Sequence, residues 1–314
     1  MQGVGAVIVS WNSGPEIGPC LEALRRAGVP EAVVVDNASQ DDTCRQVRRH
    51  GGRLIANPWN RGFAAAANQG ISALAKPLIL LLNPDAEVVG GLEALAEACR
   101  QPGVAAAGGK LLDAEGRPQV GFMVRRLPTP CSLAFEMLGI NRIWPRNPVN
   151  RRYRELAMDP ERPAEVEQPA GAFLMLRREV WRELGGFEES FHPLWFEDVD
   201  WLKRVREAGY RVRYEPRAVA RHAGGRSAAR LSWEWRQLYW YDNLLRYAAR
   251  HFSPASRGLV AAAAMLAAML RATGGAWSTG GALRVYGRIV RLAAGRLVRG
   301  CKQGERLAPD AARC

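Results

Sequence analysis

Val4–Val9, Ala32–Val35 and Leu78–Leu82 are short, unbroken apolar runs rich in Val, Ile and Leu, and each is followed at once by polar turn residues. Strands buried on both faces have this length and composition. Between them the period changes. Ile17–Ala27, with Ile17, Leu21 and Leu24 on one side, and Phe63–Leu74 have helical spacing. The order β-α-β-α-β predicts a parallel sheet covered by helices. Open sheets of this kind bind ligands beyond the carboxyl ends of their strands. The candidate site loops are therefore Ser10-Trp11-Asn12, Asp36-Asn37-Ala38-Ser39 and Asn83-Pro84-Asp85.

From about Gly109 to Glu167 the pattern dissolves into Pro- and Arg-rich sequence without a sustained period, which predicts an inserted or acceptor-side segment of no legible function. Regular signal returns at Gly171–Leu176. Gly185-Gly186-Phe187 then makes a turn, and Phe196-Glu197-Asp198-Val199-Asp200 opens a helix that continues through Trp201, Leu202 and Val205. Acidic residues in a first helical turn are also favoured by the helix dipole, so this cluster has a capping reading beside a catalytic one. His222 follows the apolar runs Val212–Tyr214 and Ala218–Ala220, and stands open between a hydrogen-bonded structural residue and a ligand. Gly224-Gly225-Arg226-Ser227 after it reads either as a cationic loop closing over a diphosphate or as an ordinary turn before a helix. The aromatic stretch Trp233–Tyr247 either stacks an acceptor sugar or packs a core.

With 314 residues, 48% hydrophobic and 24% charged, the chain can bury a sizeable core and is not a disordered protein. The patterns divide it into an α/β domain over 1–228 and a helical, basic extension over 229–314. No charged leader precedes the first strand, which predicts a cytoplasmic protein. The six cysteines lack CxxC or CxxH spacing, so neither a disulfide framework nor a zinc site is indicated.

The net charge of +13 invites a nucleic-acid reading, but its distribution argues against one. From His251 on there are ten Lys or Arg against Glu305 and Asp310, in a tail with an apolar face and no base-reading module. Leu259–Leu270 is too short an apolar run to cross a bilayer, which needs about 20 residues. Leu283–Val298 is a basic segment, and a wheel that includes the next residue puts Arg284, Arg288, Arg291, Arg296 and Arg299 on one side and Leu283, Tyr286, Val290, Ala293 and Leu297 on the other. Such a helix either lies in an anionic membrane surface or packs its apolar face on the domain.

A nucleoside diphosphate is held by an acidic group on the base or ribose, a cation on the pyrophosphate and a metal between them. Asp36 and Asp85, at two strand ends, suit the acidic roles, and Asp85 in its turn suits Mg²⁺ or Mn²⁺, which prefer oxygen ligands. A dinucleotide oxidoreductase is disfavoured, because Val9-Ser10-Trp11-Asn12-Ser13-Gly14 lacks the GxGxxG that lets a backbone approach a pyrophosphate.

Several stretches then occur in one order over residues 4–225. They are Val7-Ile8-Val9-Ser10-Trp11-Asn12, Val33-Val34-Val35-Asp36-Asn37-Ala38-Ser39 with Asp41, NPWNRGFAAAAN from Asn57 to Asn68, and Leu80-Leu81-Leu82-Asn83-Pro84-Asp85. Gly171-Ala172-Phe173, Gly185-Gly186-Phe187, Phe196-Glu197-Asp198-Val199-Asp200 and Arg221-His222-Ala223-Gly224-Gly225 complete the set. In these motifs the chain resembles the family 2 glycosyltransferases, and within them the rhamnosyltransferase-like branch. The resemblance covers about two-thirds of the chain.

It implies a GT-A fold, a Rossmann-like nucleotide-diphospho-sugar transferase domain, here with a mainly helical extension, and inverting transfer from a nucleotide-sugar donor with a divalent metal. By the same resemblance Ser10, Asn12, Asp36 and Asn37 line the nucleoside pocket, while Asn60, Arg61, Gly62 and Asn68 lie near the ribose and diphosphate. Asp85 is the metal residue of the DxD-type motif, with Asn83 where many relatives have Asp, and His222 is a late ligand to metal or diphosphate. Asp198 is the general base and Glu197 its neighbour in the acceptor site. The branch favours dTDP-rhamnose, with a UDP-sugar as the alternative, and a hydroxyl of a glycan or lipid-linked acceptor used in cell-surface polysaccharide synthesis. The absence of a leader and the basic, amphipathic tail predict an enzyme peripheral on the inner face of the cytoplasmic membrane. The presence of Asp36, Asp85, Asp198 and His222 weighs against a degenerate nucleotide-sugar-binding protein.

Overall fold

A computed structural model describes residues 1–224, 229–275 and 280–299, giving the backbone alone at 273–275, 280 and 297–299. Gly225, Arg226 and Ser227 of the expected cationic loop, Cys301, Cys314 and the side chains of Leu297 and Arg299 lie outside the described residues. The chain forms two compact units. One comprises Met1–Leu127, Arg152–Glu189 and Glu197–Arg230, and the other Pro128–Arg151, Ser190–Phe196 and the chain from Leu231 on.

The first unit is built on a sheet of nine strands among the described residues. The three apolar runs become β1 (Val4–Ser10), β2 (Ala32–Asp36) and β4 (Leu78–Leu82), with β3 (Arg53–Ala56) at the edge. All four are parallel in the order β3-β2-β1-β4. The reversal of winding at β1 and β4 makes their carboxyl ends a topological switch point. Ser10 and Asp36 are paired in register there. The remaining strands are β5 (Ala86–Gly90), β6 (Val104–Leu112), β7 (Val124–Arg125), β8 (Ala164–Glu165), β9 (Gln168–Pro169), β10 (Phe173–Arg177) and β11 (Arg211–His222). The path continues β4-β10-β6-β11-β5, with β10 antiparallel to both neighbours, β11 parallel to β6, and β8 on β11. β7 and β9 form a separate two-stranded ribbon.

Helices α1 (Gly14–Arg26), α2 (Thr43–Arg49), α3 (Phe63–Ser72) and α4 (Leu92–Arg100) connect these strands. Ile17, Leu21 and Leu24 of α1 are buried as their spacing requires. The alanine face of α3 packs on β1 and β2, and Gly70 makes that approach possible, since a Cβ there would meet Val7 Cγ1 at 2.6 Å. Each fully buried Val, Leu or Ile in this core contributes about 1.5–3 kcal/mol. α8 (Arg178–Glu183) and α9 (Glu197–Glu207) follow, after α5 (Pro130–Met137), α6 (Ile140–Ile143) and α7 (Pro148–Tyr153). The region read as irregular thus holds, after the end of β6, three helices and two short strands, too brief to show a period.

The second unit is helical: α5 and α6 with α10 (Trp233–His251), α11 (Pro254–Gly275) and α12 (Gly280–Arg299). Tyr239, Tyr241 and Tyr247 of the aromatic stretch are buried, and Tyr247 packs against Phe196 and Phe252, so these rings serve core packing.

For the tail, one expectation is corrected and one open alternative is decided. The apolar run extends into a 22-residue helix, and its Pro254–Ala272 window, at mean hydropathy 1.3, is long and apolar enough to cross a membrane by length and composition. Flanking small residues that a strict apolar count omitted supply the added length. In α12, Val285, Tyr286, Ile289 and Ala293 are buried while Leu283 is exposed, and Arg296 turns inward to Asp242 at 2.6 Å. Packing against α10 and α11 takes up the apolar face that a wheel left open to lipid.

Candidate active site

The switch point gathers a hydrogen-bonded loop cluster around Asp36. Its buried carboxylate accepts from Ser10 Oγ at 2.9 Å, Ser39 N at 2.9 Å and Ser39 Oγ at 2.5 Å. Ser39 Oγ in turn accepts from Asn12 N at 2.7 Å, and Asn12 Oδ1 accepts from Gln40 N at 2.7 Å. Asn12 and Ala38 hold φ of 50° and 62°, left-handed conformations that such a network can sustain. Asn37 braces the next loop: its Oδ1 accepts from Asn57 Nδ2 and Arg61 N, and its Nδ2 donates to Gly62 O. Asn60 Oδ1 accepts from Gly62 N at 2.9 Å. Asn68 pins the turn after α8, accepting from Phe187 N at 2.9 Å and donating to Phe187 O at 2.8 Å and Glu189 Oε1 at 3.1 Å.

A second cluster forms where β4 and β11 end. His222 Nε2 lies 3.5 Å from Asp85 Oδ1 and 3.4 Å from Asn83 Nδ2; His222 is buried, and Asp85 is half-buried as a residue with its side chain largely covered. Ala223 N donates to Asp85 O at 3.2 Å, fixing the two chain segments together. Phe122 stacks on the His222 ring with centroids 5.4 Å apart and 12° between planes.

The third cluster is the start of α9. Asp198 Oδ1 accepts from Val199 N at 2.8 Å and Oδ2 from Gly171 N at 3.1 Å. Burial pushes this carboxyl above the usual aspartate value, while those N–H groups and the Arg125 charge pull it partly back. Glu197 is raised well above the glutamate range, first by burial and then by the charge of Asp198, and its Oε2 has no hydrogen-bond partner. Asp200 differs from both, being held by Arg204 at 2.9 Å, and Arg204 also donates to Leu184 O and Gly186 O. Phe187 of the GGF turn packs on Trp201. One acidic run therefore contains a carboxyl whose burial favours its neutral form, a hydrogen-bonded one and a structural ion pair.

The model of the family described as Glycosyl transferase family 2 matches residues 6–185, more than half of the chain. The chain belongs to this family. Over 242 residues it is 30% identical to N-acetylglucosaminyl-diphospho-decaprenol L-rhamnosyltransferase of Mycobacterium tuberculosis, covering 71% of this chain and 77% of that protein. It is 24% identical over 211 residues to the low-salt glycan biosynthesis hexosyltransferase Agl10 of Haloferax volcanii, covering 66% of this chain and 62% of that protein. Among solved structures, mannosyltransferase PcManGT from Pyrobaculum calidifontis, in complex with GDP-Man and Mn²⁺, is similar with a TM-score of 0.52 at 20% identity, covering 95% and 87% of the two chains. This likeness concerns the fold, which is the GT-A α/β fold with a helical C-terminal region. The protein is accordingly a rhamnosyltransferase-like glycosyltransferase with a role in glycan synthesis.

Within this family 2 transferase, sequence reasoning missed Gln119, Phe122, Arg125 and Arg204. The first three lie in the stretch read as irregular. A usable signal was the Asp113-Ala114-Glu115-Gly116 turn after a strand, which folds the chain back so that Pro118 bridges to Leu112. Asp85 and His222 offer one carboxylate and one imidazole converging at 3.5 Å, a donor set that fits Mg²⁺ or Mn²⁺ completed by diphosphate oxygens and water. Among the described residues no group of three or more His, Cys, Asp or Glu gathers as a metal site.

Proposed function

We propose that the enzyme is an inverting transferase that moves rhamnose from dTDP-rhamnose to a hydroxyl of a glycan or lipid-linked acceptor in cell-surface polysaccharide synthesis. Support for the sugar comes from the rhamnosyltransferase of M. tuberculosis that the chain resembles. The observation that carries the mechanism is the state of Asp198, a single carboxylate raised by burial and held by two backbone N–H groups at the start of a helix. Inversion needs one base to take the acceptor proton as its oxygen attacks the anomeric carbon from the face opposite the leaving diphosphate. Glycosidases also need an acid, because their leaving group must be protonated. A nucleoside diphosphate leaves without that proton, so one base suffices.

In this reading Asp198 is the base, and Glu197, kept neutral, supplies a hydroxyl donor beside it. Ser10, Asn12, Asp36 and Asn37 shape the nucleoside pocket, with Asn60, Arg61, Gly62, Asn68 and Asn83 around the ribose and diphosphate. Asp85 and His222 would hold a divalent cation, which when bound offsets the charge developing on the diphosphate. The acceptor side works at an anionic membrane surface on the cytoplasmic face, docked through the second unit.

Calorimetric titration with dTDP, UDP, GDP and NAD, each with and without Mn²⁺, tests the reading. Metal-dependent binding of dTDP is expected. Binding of UDP instead moves the donor to a UDP-sugar, and binding of NAD alone overturns the transferase site. Asp198→Asn should keep donor binding and lose transfer, and near-normal turnover in that variant removes Asp198 as the base.

A further inference from the structure

The stretch after β6 brings a side chain of fixed orientation against His222. Gln119 is anchored by its own backbone, its N–H donating to Leu111 O at 2.9 Å and its carbonyl accepting from Phe122 N and Met123 N, both at 3.0 Å. From that point its side-chain amide meets His222 twice. Nε2 donates to the His222 carbonyl at 2.8 Å, and Oε1 faces the ring Nδ1 at 3.3 Å. The far edge of the ring presents Nε2 to Asp85 and Asn83.

A neutral imidazole carries one N–H, on either nitrogen. The His222 carbonyl can only accept, so it orients the Gln119 amide with nitrogen toward itself and oxygen toward the ring. An amide oxygen can only accept as well, so the ring nitrogen facing it, Nδ1, carries the hydrogen. Nε2 is then left with its lone pair, and Asn83 Nδ2 is a donor placed to reach it. With Gln119 removed, the other tautomer gains: Nε2–H donates to Asp85 Oδ1, and a donor–acceptor pair then ties up both atoms at once.

We propose that Gln119 is a positioning residue that sets the tautomer of His222, so that Nε2 is presented unprotonated beside Asp85, while Phe122 stacked on the ring fixes its rotation. The inference rests on the metal reading given under Proposed function. It gives the stretch between β6 and β7 a defined task, that of the outer group whose loss at metal-binding histidines typically costs roughly 10–100-fold in affinity.

The test compares the wild type with Gln119→Leu, which keeps bulk without polar atoms, and Gln119→Glu, which keeps the acceptor facing Nδ1 but loses the donor to the carbonyl. The protein has four histidines, so long-range ¹H–¹⁵N spectra can assign the His222 ring nitrogens on the metal-free protein. The expected result is an Nδ1–H tautomer in wild type and Gln119→Glu, and a shift to Nε2–H in Gln119→Leu. Mn²⁺ titration in the presence of dTDP, read from the free-ion paramagnetic resonance signal, should show roughly 10–100-fold weaker binding in Gln119→Leu and substantial rescue in Gln119→Glu. An unchanged tautomer in Gln119→Leu, or unchanged Mn²⁺ affinity, overturns the proposal. Should that variant not fold, Gln119→Asn, too short to span from its anchor to the ring, takes its place with the same expectation. A wild type that binds no Mn²⁺ removes the metal reading, whereas the metal-free spectra still decide whether Gln119 governs the ring.

Discussion

Glu197 and Asp198 are neighbours in the chain, yet their surroundings push them toward different protonation states. Asp198 has two backbone N–H donors and the charge of Arg125 to support its anion, while Glu197 has burial and a like charge beside it, both favouring the neutral acid. The consequence for stability has a definite sign. The folded protein holds the Glu197 proton at pH values where the unfolded chain, with an ordinary glutamate value near 4.3, has released it. Stability from this group is therefore full below the unfolded value and is lost as pH rises through the raised folded value. Glu197→Gln removes that loss. We expect its melting temperature to exceed that of wild type at pH 8 and to converge with it near pH 4; parallel curves at all pH values would falsify the neutral state of Glu197. The sequence marked both residues as site candidates, but ionisation follows from burial and neighbours, which no local pattern encodes.

At the scale of elements, the start of α9 is positioned from three directions. Trp195 and Phe196 enter it with φ of 78° and 75°, a strained pair for non-glycine residues. Arg204, one turn after Asp200, ties the helix to the GGF turn through Leu184 O and Gly186 O. Gly171, just before β10, supplies the N–H that holds Asp198 and leaves room for its carboxylate, since a Cβ at Gly171 would lie 2.9 Å from Asp198 Oδ2. Gly171→Ala should therefore displace the carboxylate by a fraction of an ångström to an ångström. A displacement of that size can cost about 100-fold in rate. The expected outcome is a large fall in kcat with unchanged affinity for dTDP, measured by steady-state kinetics beside calorimetry. A variant with normal kcat would show that Asp198 does not depend on this close approach. Strands, helices and motif order were readable in advance because apolar runs and periods are properties of contiguous sequence. The stretch from Gly109 to Glu167 was not, because its elements are two to eight residues long.

For the molecule as a whole, the proposed attachment to a membrane surface is tested on the helical unit. Leu259, Ala262, Leu266, Met269 and Leu270 form an exposed stripe on α11, at helical spacing and without a charge between them, while the opposite face of Ala261, Ala264 and Ala268 is buried. On α12 the exposed positions include Arg284 and Arg291, whereas Arg296 is in an ion pair with Asp242, and Arg288 lies over the Trp235 ring. Apolar side chains flanked by cations are the combination that binds anionic bilayers. Replacing Leu266, Met269 and Leu270 together by Ser should abolish co-sedimentation with phosphatidylglycerol vesicles and leave dTDP binding intact. Undiminished sedimentation would remove this stripe as the docking face. The excess charge alone did not identify this face, because it counts Arg296, which serves the interior, equally with Arg284.

What the sequence by itself determined is the course of the parallel strands, the loops at their carboxyl ends and the family, since each is written in contiguous runs of a few to a dozen residues. Tertiary structure alone decided which of these residues meet. Gln119 reaches His222 across 103 positions, Gly171 reaches Asp198 across 27, and Asn68 reaches Phe187 across 119. Such pairs are brought together by strand order and by the folding back of short segments. Burial at the resulting junctions then sets which carboxyl keeps its proton and which apolar face is left to the surface. The physical reason is that side-chain chemistry is local to the chain, whereas the dielectric environment, the hydrogen-bond partners and the exposed area of a group belong to its neighbours in space.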